Sequence, residues 1–419
     1  MKVALYWTAA LVMATGVFAR AQQMTGTPTP LATLVSEAQS SNSQISAADH
    51  AWKAASHVAK QVTTLPDPQL TVQSFSVGSP KPFAGFSNSD FAYIGFGASQ
   101  ELPYAGKLRL KGEVANRETD LQQTQAELLR SSITDQVKVL YLRLAYLDAT
   151  LSLLAQSDAV LKPLIETGLS RYSLGQGSQA DVLKAQIEHT KILREVTKQH
   201  QEMGQLQASL KELLHRSQSS QDIVPEPLSV TSFRRTSEEL QSLVMAHNPA
   251  VSVETAGVHK QDAQLKSAQR EGKPDFNVGY MFQQTGGGYR DYYMLTVSMR
   301  LPRRKRVEAG VAEAGESLEQ SKQELDSQVQ QQLAEVQKQY IAVTDTEELL
   351  KEYTDGLLPQ AQAAFRSEQT TYQSGKEAFA PVLSSLLEEL TFENDYQQAL
   401  LDHEMALARL ETLTGAQLR

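Results

Sequence analysis

The chain contains the same arrangement of residues twice, and this internal repeat limits its possible folds more than any other feature. Residues of the first half recur in the second half at a constant offset: Leu34, Asn42, Ile45, Pro68 and Val72 are matched by Leu240, Asn248, Val251, Pro274 and Val278. The sequence of each half predicts the same order of elements: a helix, a β-hairpin, a very long helix, a glycine turn and a second long helix. A linker at 217–236, rich in Ser and Gln and containing Pro, separates a first repeat at 22–216 from a second repeat at 237–419.

The long helical stretches, predicted at 105–216 and 306–414, carry hydrophobic residues at alternating spacings of four and three. One series consists of Ile133, Val137, Leu140, Leu144, Leu147, Leu151 and Leu154, and a second of Ile192, Val196, Met203, Leu206, Leu210 and Leu213, with Gln199 in the place between Val196 and Met203. This period of 3.5 residues predicts left-handed coiled-coil packing of neighbouring helices. The other faces are polar and therefore face water. Pro163 and Pro359 predict a kink or a break in each half.

Two segments, 69–100 and 275–300, alternate between apolar and polar residues and predict one β-hairpin in each repeat. Each strand is about as long as a tilted strand that crosses a membrane. A pair of soluble hairpins that caps the helices is the alternative. If the hairpins do lie in lipid, four strands cannot close a barrel, and open strand edges leave costly unpaired backbone groups. Two chains give eight strands and a filled barrel, whereas three give twelve strands and a water-filled bore.

Composition and the N-terminus limit the classes of function. Lys2, an apolar run at 3–18 and Ala19-Arg20-Ala21 predict a signal peptide at 1–21. The net charge of −9 argues against a nucleic-acid partner. Without cysteine the chain has no disulfide, cysteine-ligated metal or cysteine nucleophile. No spacing supports a catalytic triad or a paired-carboxylate site, and His50 and His57 have no third partner. We therefore expect no enzyme activity, no cofactor and no metal site.

The repeated glycine turns and the strand-to-helix passages carry a resemblance to a known family. The first turn has the pattern Tyr-x-x-Gly-x-x-Ser-x-x-Asp-Val-Leu, and the second keeps its Tyr, Gly, Val and Leu. The passages contain Leu102-Pro103 and Leu301-Pro302, each with basic residues close behind. Together these motifs resemble the outer membrane efflux protein family, the TolC-like outer membrane factors. Gly175 permits a left-handed helix cap, and Ser178 can cap the start of the next helix.

The resemblance implies a mainly helical fold with a small β part. Three protomers would form one trimer, with a shared twelve-stranded barrel in the outer membrane and a periplasmic tunnel of long helices. Such a channel is passive and receives its cargo from a periplasmic adaptor and an inner-membrane pump of the RND or ABC type. In relatives the adaptor docks at the two glycine turns. That role is carried here onto Tyr172, Leu174, Gly175, Ser178, Asp181, Val182, Leu183, Tyr372, Gly375, Val382 and Leu383.

The tip departs from the pattern of its relatives, which close the tunnel with an Arg–Asp network and rings of Asp. Glu377 stands where that Arg is expected, and Pro381 and Ser384 stand at the ring positions. Asp181 persists, and Lys376 is the alternative partner for it, so the candidate gate consists of Asp181, Lys376 and Glu377.

The sequence leaves open both the cargo and the role of one segment of consecutive basic residues. The resemblance fits efflux of small molecules or metal ions and also the exit duct of type I protein secretion. A periplasmic coiled-coil protein without a pore is the rival from another class. The run Arg303-Arg304-Lys305-Arg306 follows a predicted strand. It predicts either a contact with anionic lipid head groups or the adaptor, or a solvated border of the barrel.

Overall fold

The computed structural model describes residues 27–82, 84–86, 91–286, 288, 290–376, 378–416 and 418. The predicted signal peptide and Glu377 lie outside this part of the chain. The first repeat contains α1 (Leu31–Ser41), α2 (Ser43–Thr63), β1 (Gln69–Phe75), β2 (Tyr93–Leu102), α3 (Lys107–Ser173) and α4 (Gln179–Leu213). The second contains α5 (Ser237–His247), α6 (Pro249–Arg270), β3 (Asp275–Thr285), β4 (Asp291–Arg300), α7 (Arg304–Glu352), α8 (Leu358–Gln373) and α9 (Phe379–Thr414). The predicted order of elements is thus present in both halves, except that the helix predicted before each hairpin is divided in two, at Asn42 and at Asn248.

The two prolines in the long helices have different effects. A π-helical turn at Tyr353–Leu357 separates α7 from α8 immediately before Pro359. Proline has no N–H to donate to the preceding turn, and a π turn is a rare, local interruption of an α-helix. Pro163, in contrast, lies inside α3, which continues through it as one helix of 67 residues, about 100 Å at 1.5 Å per residue. A break is therefore present at Pro359 and absent at Pro163.

The predicted seven-residue pattern marks the buried faces of the helices. Its α3 members Ile133, Val137 and Leu144 are almost fully buried and form a cluster with Met203, Leu206 and Leu210 of α4. A second cluster, nearer the turns, joins α3 and α4 to α8 and α9. The helices lie side by side, with α3 packed on α9 in the centre, α4 on α3, and α7 and α8 on α9. None of the helices in the described ranges has both the length and the hydropathy of a membrane-spanning helix.

One repeated asparagine ties three helix ends together in each half. The Asn42 Oδ1 accepts hydrogen bonds from the N–H groups of Gln44 and Ile45 at the start of α2, at 2.8 and 3.3 Å. Its Nδ2 donates to the carbonyl of Leu213 at the end of α4, at 2.9 Å. Asn248 makes the same set of contacts at the start of α6, including a 2.8 Å bond to the carbonyl of Leu413. Amide side chains can satisfy unpaired groups at both kinds of helix end, which explains why Asn recurs there.

The four strands form a single antiparallel sheet in the order β1-β2-β3-β4. The pairing of β2 with β3 joins the two repeats, with Phe96 opposite Phe282 and Ala98 opposite Tyr280. Within the described residues, β1 and β4 each pair on one side only and form the edges of the sheet. The long helices α3 and α7 follow β2 and β4, so both leave the sheet from the end at which these strands finish.

Candidate functional site: the helical turns and the sheet

The first glycine turn joins α3 to α4 through a left-handed helix cap. Gly175 has a φ of 70°, a conformation that glycine adopts with little strain. The N–H of Gln176 donates to the carbonyl of Arg171 at 2.8 Å, and the N–H of Gly175 donates to the carbonyl of Tyr172 at 3.0 Å. This pair of bonds is a Schellman motif. The Ser178 hydroxyl accepts a 3.2 Å hydrogen bond from the N–H of Ala180, which confirms its predicted capping role.

The second glycine turn repeats the cap that ends the helix but not the cap that begins the next one. Gly375 has a φ of 76°, and the N–H of Lys376 donates to the carbonyl of Thr371 at 3.2 Å. The helix that follows has Ala378 before its first residue, which supplies no side-chain cap. The start of α9 is instead held by the burial of Phe379.

Arg171 connects the two turns within one protomer, a contact that the sequence analysis did not identify. Its Nη2 donates to the carbonyl of Tyr372 at 2.5 Å, and its guanidinium lies 4.1 Å from the centroid of the Tyr372 ring. The Tyr372 ring meets Phe379 edge to face, with centroids 5.6 Å apart. Burial raises the pKa of Tyr372 above its ordinary value. Arg171 opposes this rise and the Asp181 carboxylate adds to it, so the phenol stays neutral near pH 7.

The predicted docking residues divide into an exposed set and a buried set. In the first turn, Leu174 is 68% exposed, and Tyr172 and Leu183 are also exposed, whereas Val182 is buried. In the second turn, the side chains of Tyr372, Val382 and Leu383 are all buried in the cluster between α3, α8 and α9. The residues around Gly375 are exposed. The first turn therefore exposes apolar side chains, whereas the predicted docking side chains of the second turn are buried.

Asp181 and Lys376 are the two candidate gate residues that the structure describes, and they are not paired with each other. Asp181 is half-buried in the first turn of α4, and Lys376 is exposed beyond α8. Across the residues that the structure describes, no ion pair joins the two. Glu377 lies outside that part. Nor do three His, Asp or Glu side chains of the described residues converge as a metal site.

The sheet has two faces of opposite character, as its register shows. The first, here called the apolar face, carries hydrophobic side chains in neighbouring positions on all four strands: Leu70, Val72, Phe96, Ala98, Val278, Tyr280, Phe282, Tyr293, Leu295, Val297 and Met299. The second, the polar face, is mostly small or hydrophilic: Thr71, Gln73, Gly95, Gly97, Ser99, Gly279, Gln283, Thr296 and Ser298. Many side chains of the apolar face are exposed, with Leu295 at 70%. This alternation is typical of a wall between lipid and water.

On each side of the protomer, an outer helix has one face that packs against no other helix of the described residues. These two faces, on α4 and on α7, are called the lateral faces. The free face of α4 exposes Leu183 and Ile187 together with basic residues, among them Arg194 and Lys198. On the opposite side, α7 and the π turn expose apolar residues together with acidic ones: Ile341, Glu348, Leu349, Glu352 and Asp355. Counted along the helices from the two glycine turns, the basic pair on α4 stands level with Glu352 and Asp355. The residues named on the two lateral faces are thus opposite in charge, although Lys198 pairs with Glu195 on α4 and the exposed Lys351 pairs with Glu347 on α7.

Comparisons with known proteins agree with this architecture. The sequence profile described as "Outer membrane efflux protein" matches residues 34–215 and 240–416, one match for each repeat. No curated protein sequence matches the chain. Among solved structures, the outer-membrane channel OprN superposes with a TM-score of 0.80 at 16% identity, over 92% of this chain and 90% of that one. VceC from Vibrio cholerae gives 0.77 at 16% identity, over 93% and 97%. The open state of the MtrE channel from Neisseria gonorrhoeae gives 0.76 at 17% identity, over 93% and 89%.

Proposed function

The chain belongs to the outer membrane efflux protein family, and we propose that it is the outer-membrane exit channel of a tripartite efflux pump. The observation that carries this proposal is the sheet. In the described part of the chain it presents an apolar face and two edge strands, each paired on one side only, at one end of long helices whose free surfaces are mostly polar. In lipid, unpaired N–H and C=O groups at a strand edge are expensive, so each edge requires a partner strand. The nearest source of a matching strand is another copy of the same chain.

Three copies give the proposed assembly. Pairing β4 of one protomer with β1 of the next would close a twelve-stranded barrel, with the apolar face towards lipid and the polar face towards water. The complementary lateral faces of the helices support the same head-to-tail arrangement, because the basic face of α4 would meet the acidic face of α7 in the neighbouring protomer. A head-to-tail contact forms a closed ring when its rotation closes. The helices would then line a tunnel that continues from the barrel into the periplasm.

In this proposal the channel passively conducts small molecules or metal ions, received from an inner-membrane pump through a periplasmic adaptor. The adaptor would dock at the exposed residues of the first turn, Tyr172, Leu174 and Leu183, with Gly175 and Ser178 fixing the turn. Arg171 ties this surface to the second turn, so that the two turns move together. The gate at Asp181, Lys376 and Glu377 stays a prediction.

Planar-bilayer recording tests the proposed function. The protein is expected in the outer-membrane fraction and should run on unheated gels as a trimer that dissociates on heating. After purification it is expected to give discrete conductance steps when added to a bilayer. A protein that is recovered from the periplasm as a monomer and produces no steps would instead support the rival of a coiled-coil protein without a pore.

A further inference from the structure

A cluster of exposed cations lies where the second strand-to-helix passage leaves the sheet. Arg303, Arg304, Lys305 and Arg306 are all exposed, and Arg303 has the extended backbone of the strand that precedes it. Arg304 pairs with Glu308 at 2.6 Å. Across the described residues, the side chains of Arg303, Lys305 and Arg306 form no ion pair. The described residues therefore leave the charge of these three side chains unpaired, although the chain as a whole is acidic.

The equivalent positions of the first repeat hold a different set of residues. There Tyr104, Ala105, Gly106 and Lys107 follow the Leu-Pro pair, so Lys107 corresponds to Arg306. Lys107 is 3% exposed, and its Nζ lies 2.9 Å from Asp275 and 3.2 Å from Glu271. The passage into a long helix thus requires at most one cation, held internally. In the second repeat, Arg304 pairs with Glu308, and Arg303, Lys305 and Arg306 have no such internal partner among the described residues.

The first turn of α7 is an unfavourable place for cations. Arg304, Lys305 and Arg306 form the first turn of α7, which contains no acidic residue. The N-terminus of a helix carries partial positive charge, so positive side chains there are unfavourable. An anionic partner outside the chain would reverse this effect.

The position of the cluster identifies the chemistry of that partner. On β4 the apolar face runs through Leu295, Val297 and Met299 to Leu301, all exposed, and the cations follow immediately. The cluster stands at the end of the sheet from which the long polar helices leave. If the apolar face lies in lipid, the cations stand at the head groups of the periplasmic leaflet. Long basic side chains can keep their stems along apolar surface while their charges reach phosphates.

We propose that Arg303, Lys305 and Arg306 bind the phosphate groups of anionic glycerophospholipids in the periplasmic leaflet. In the trimer these residues form a ring of basic patches directly below the lipid-facing wall. The ring sets the depth of the barrel in the membrane and concentrates anionic lipid around it. This inference rests on the proposed function, because it requires the apolar face of the sheet to lie in lipid.

The test compares a triple variant, Arg303→Gln with Lys305→Gln and Arg306→Gln, with a control of equal charge change. The control is Lys322→Gln with Lys338→Gln and Lys351→Gln, three exposed lysines of α7 further along the helix. Phosphatidylglycerol is titrated into each purified trimer, with phosphatidylcholine as the neutral comparison, and bound lipids are counted by native mass spectrometry. Each cation near an anionic lipid surface strengthens binding roughly five-fold. The affinity of the triple variant for phosphatidylglycerol is therefore expected to fall at least about ten-fold, while the control keeps the affinity of the wild type.

Bilayer conductance of the same preparations separates the possible failures. A triple variant that conducts and still binds phosphatidylglycerol like the wild type overturns the lipid site and leaves the proposed function intact. A variant with unchanged lipid affinity that no longer retains the adaptor also overturns it, because the cluster would then be a protein contact. Wild-type protein that neither trimerises nor conducts overturns the proposed function and this inference together.

Discussion

Replacing Leu295 with arginine is expected to abolish the heat-sensitive trimer in the outer membrane. Leu295 is 70% exposed on the apolar face of β4, between Tyr293 and Val297. Arginine at the lipid face of a barrel costs about 2–4 kcal/mol near the membrane midplane. The cost recurs in each of the three subunits, so the variant should remain unassembled. Unheated gel electrophoresis of the outer-membrane fraction measures this directly.

The neighbouring residue is the matched control, because successive strand residues point to opposite faces. Thr296 lies on the polar face, opposite Gly279, and is therefore expected to face the water-filled bore. Thr296→Arg should assemble into a normal trimer and shift the conductance towards anions. If the two arginine variants assemble equally well, or fail equally, the assignment of the faces to lipid and water is wrong.

Gly175→Trp is expected to abolish export while leaving the trimer intact. Gly175 stands at the apex of the first turn, where nothing lies within 4 Å of an added Cβ, so the indole would project from the tip. That bulk would stand among the exposed residues proposed to meet the adaptor. Export can be measured as the accumulation of a pump substrate in cells that depend on this channel, together with the amount of trimer in the outer membrane.

Gly175→Ala separates the effect of bulk from that of backbone strain. A non-glycine residue at a φ of 70° costs roughly 1–2 kcal/mol, but the methyl group meets no neighbour. Export by this variant should remain near that of the wild type. If Gly175→Trp also exports normally, the adaptor does not dock at the first turn.

Much of the fold follows from short-range patterns in the sequence. The spacing of Ile133, Val137 and Leu144 predicts a buried stripe because helical periodicity alone decides which side chains share a face. The recurrence of Asn42 as Asn248 marks equivalent helix ends, and the alternation in β3 and β4 marks two strands. The profile match at 34–215 and 240–416 confirms the division into two repeats.

Other features depend on which elements become neighbours, and the sequence pattern does not contain that information. Leu183 and Leu383 occupy equivalent positions, yet Leu183 is exposed and Leu383 is buried. The difference arises because α4 lies at the edge of the protomer and α9 lies between α3 and α7. The contact from Arg171 to Tyr372 crosses from one repeat to the other, so neither copy of the motif predicts it. The continuity of α3 through Pro163 likewise depends on packing along a long helix.

If several subunits share one barrel wall, β4 of one protomer lies beside β1 of the next, and chemical cross-linking between these two strands detects that contact. The chain contains no cysteine, so engineered cysteines react without background. Thr71→Cys on β1 is combined with Met294→Cys on β4. Within one chain these positions share a row of the sheet through Gly97 and Met281, three strand spacings or about 14 Å apart. A bis-maleimide shorter than this distance cannot join them within one protomer.

With the cross-linker, denaturing gels of the double-cysteine variant should show covalent dimers and covalent trimers. Each single-cysteine variant should give no covalent trimer. Moving the second cysteine to Tyr292 or Thr296 allows for a shifted register between neighbouring protomers. If every combination yields only single chains from protein purified in mild detergent, β1 and β4 do not meet across subunits, and the subunits do not share one barrel.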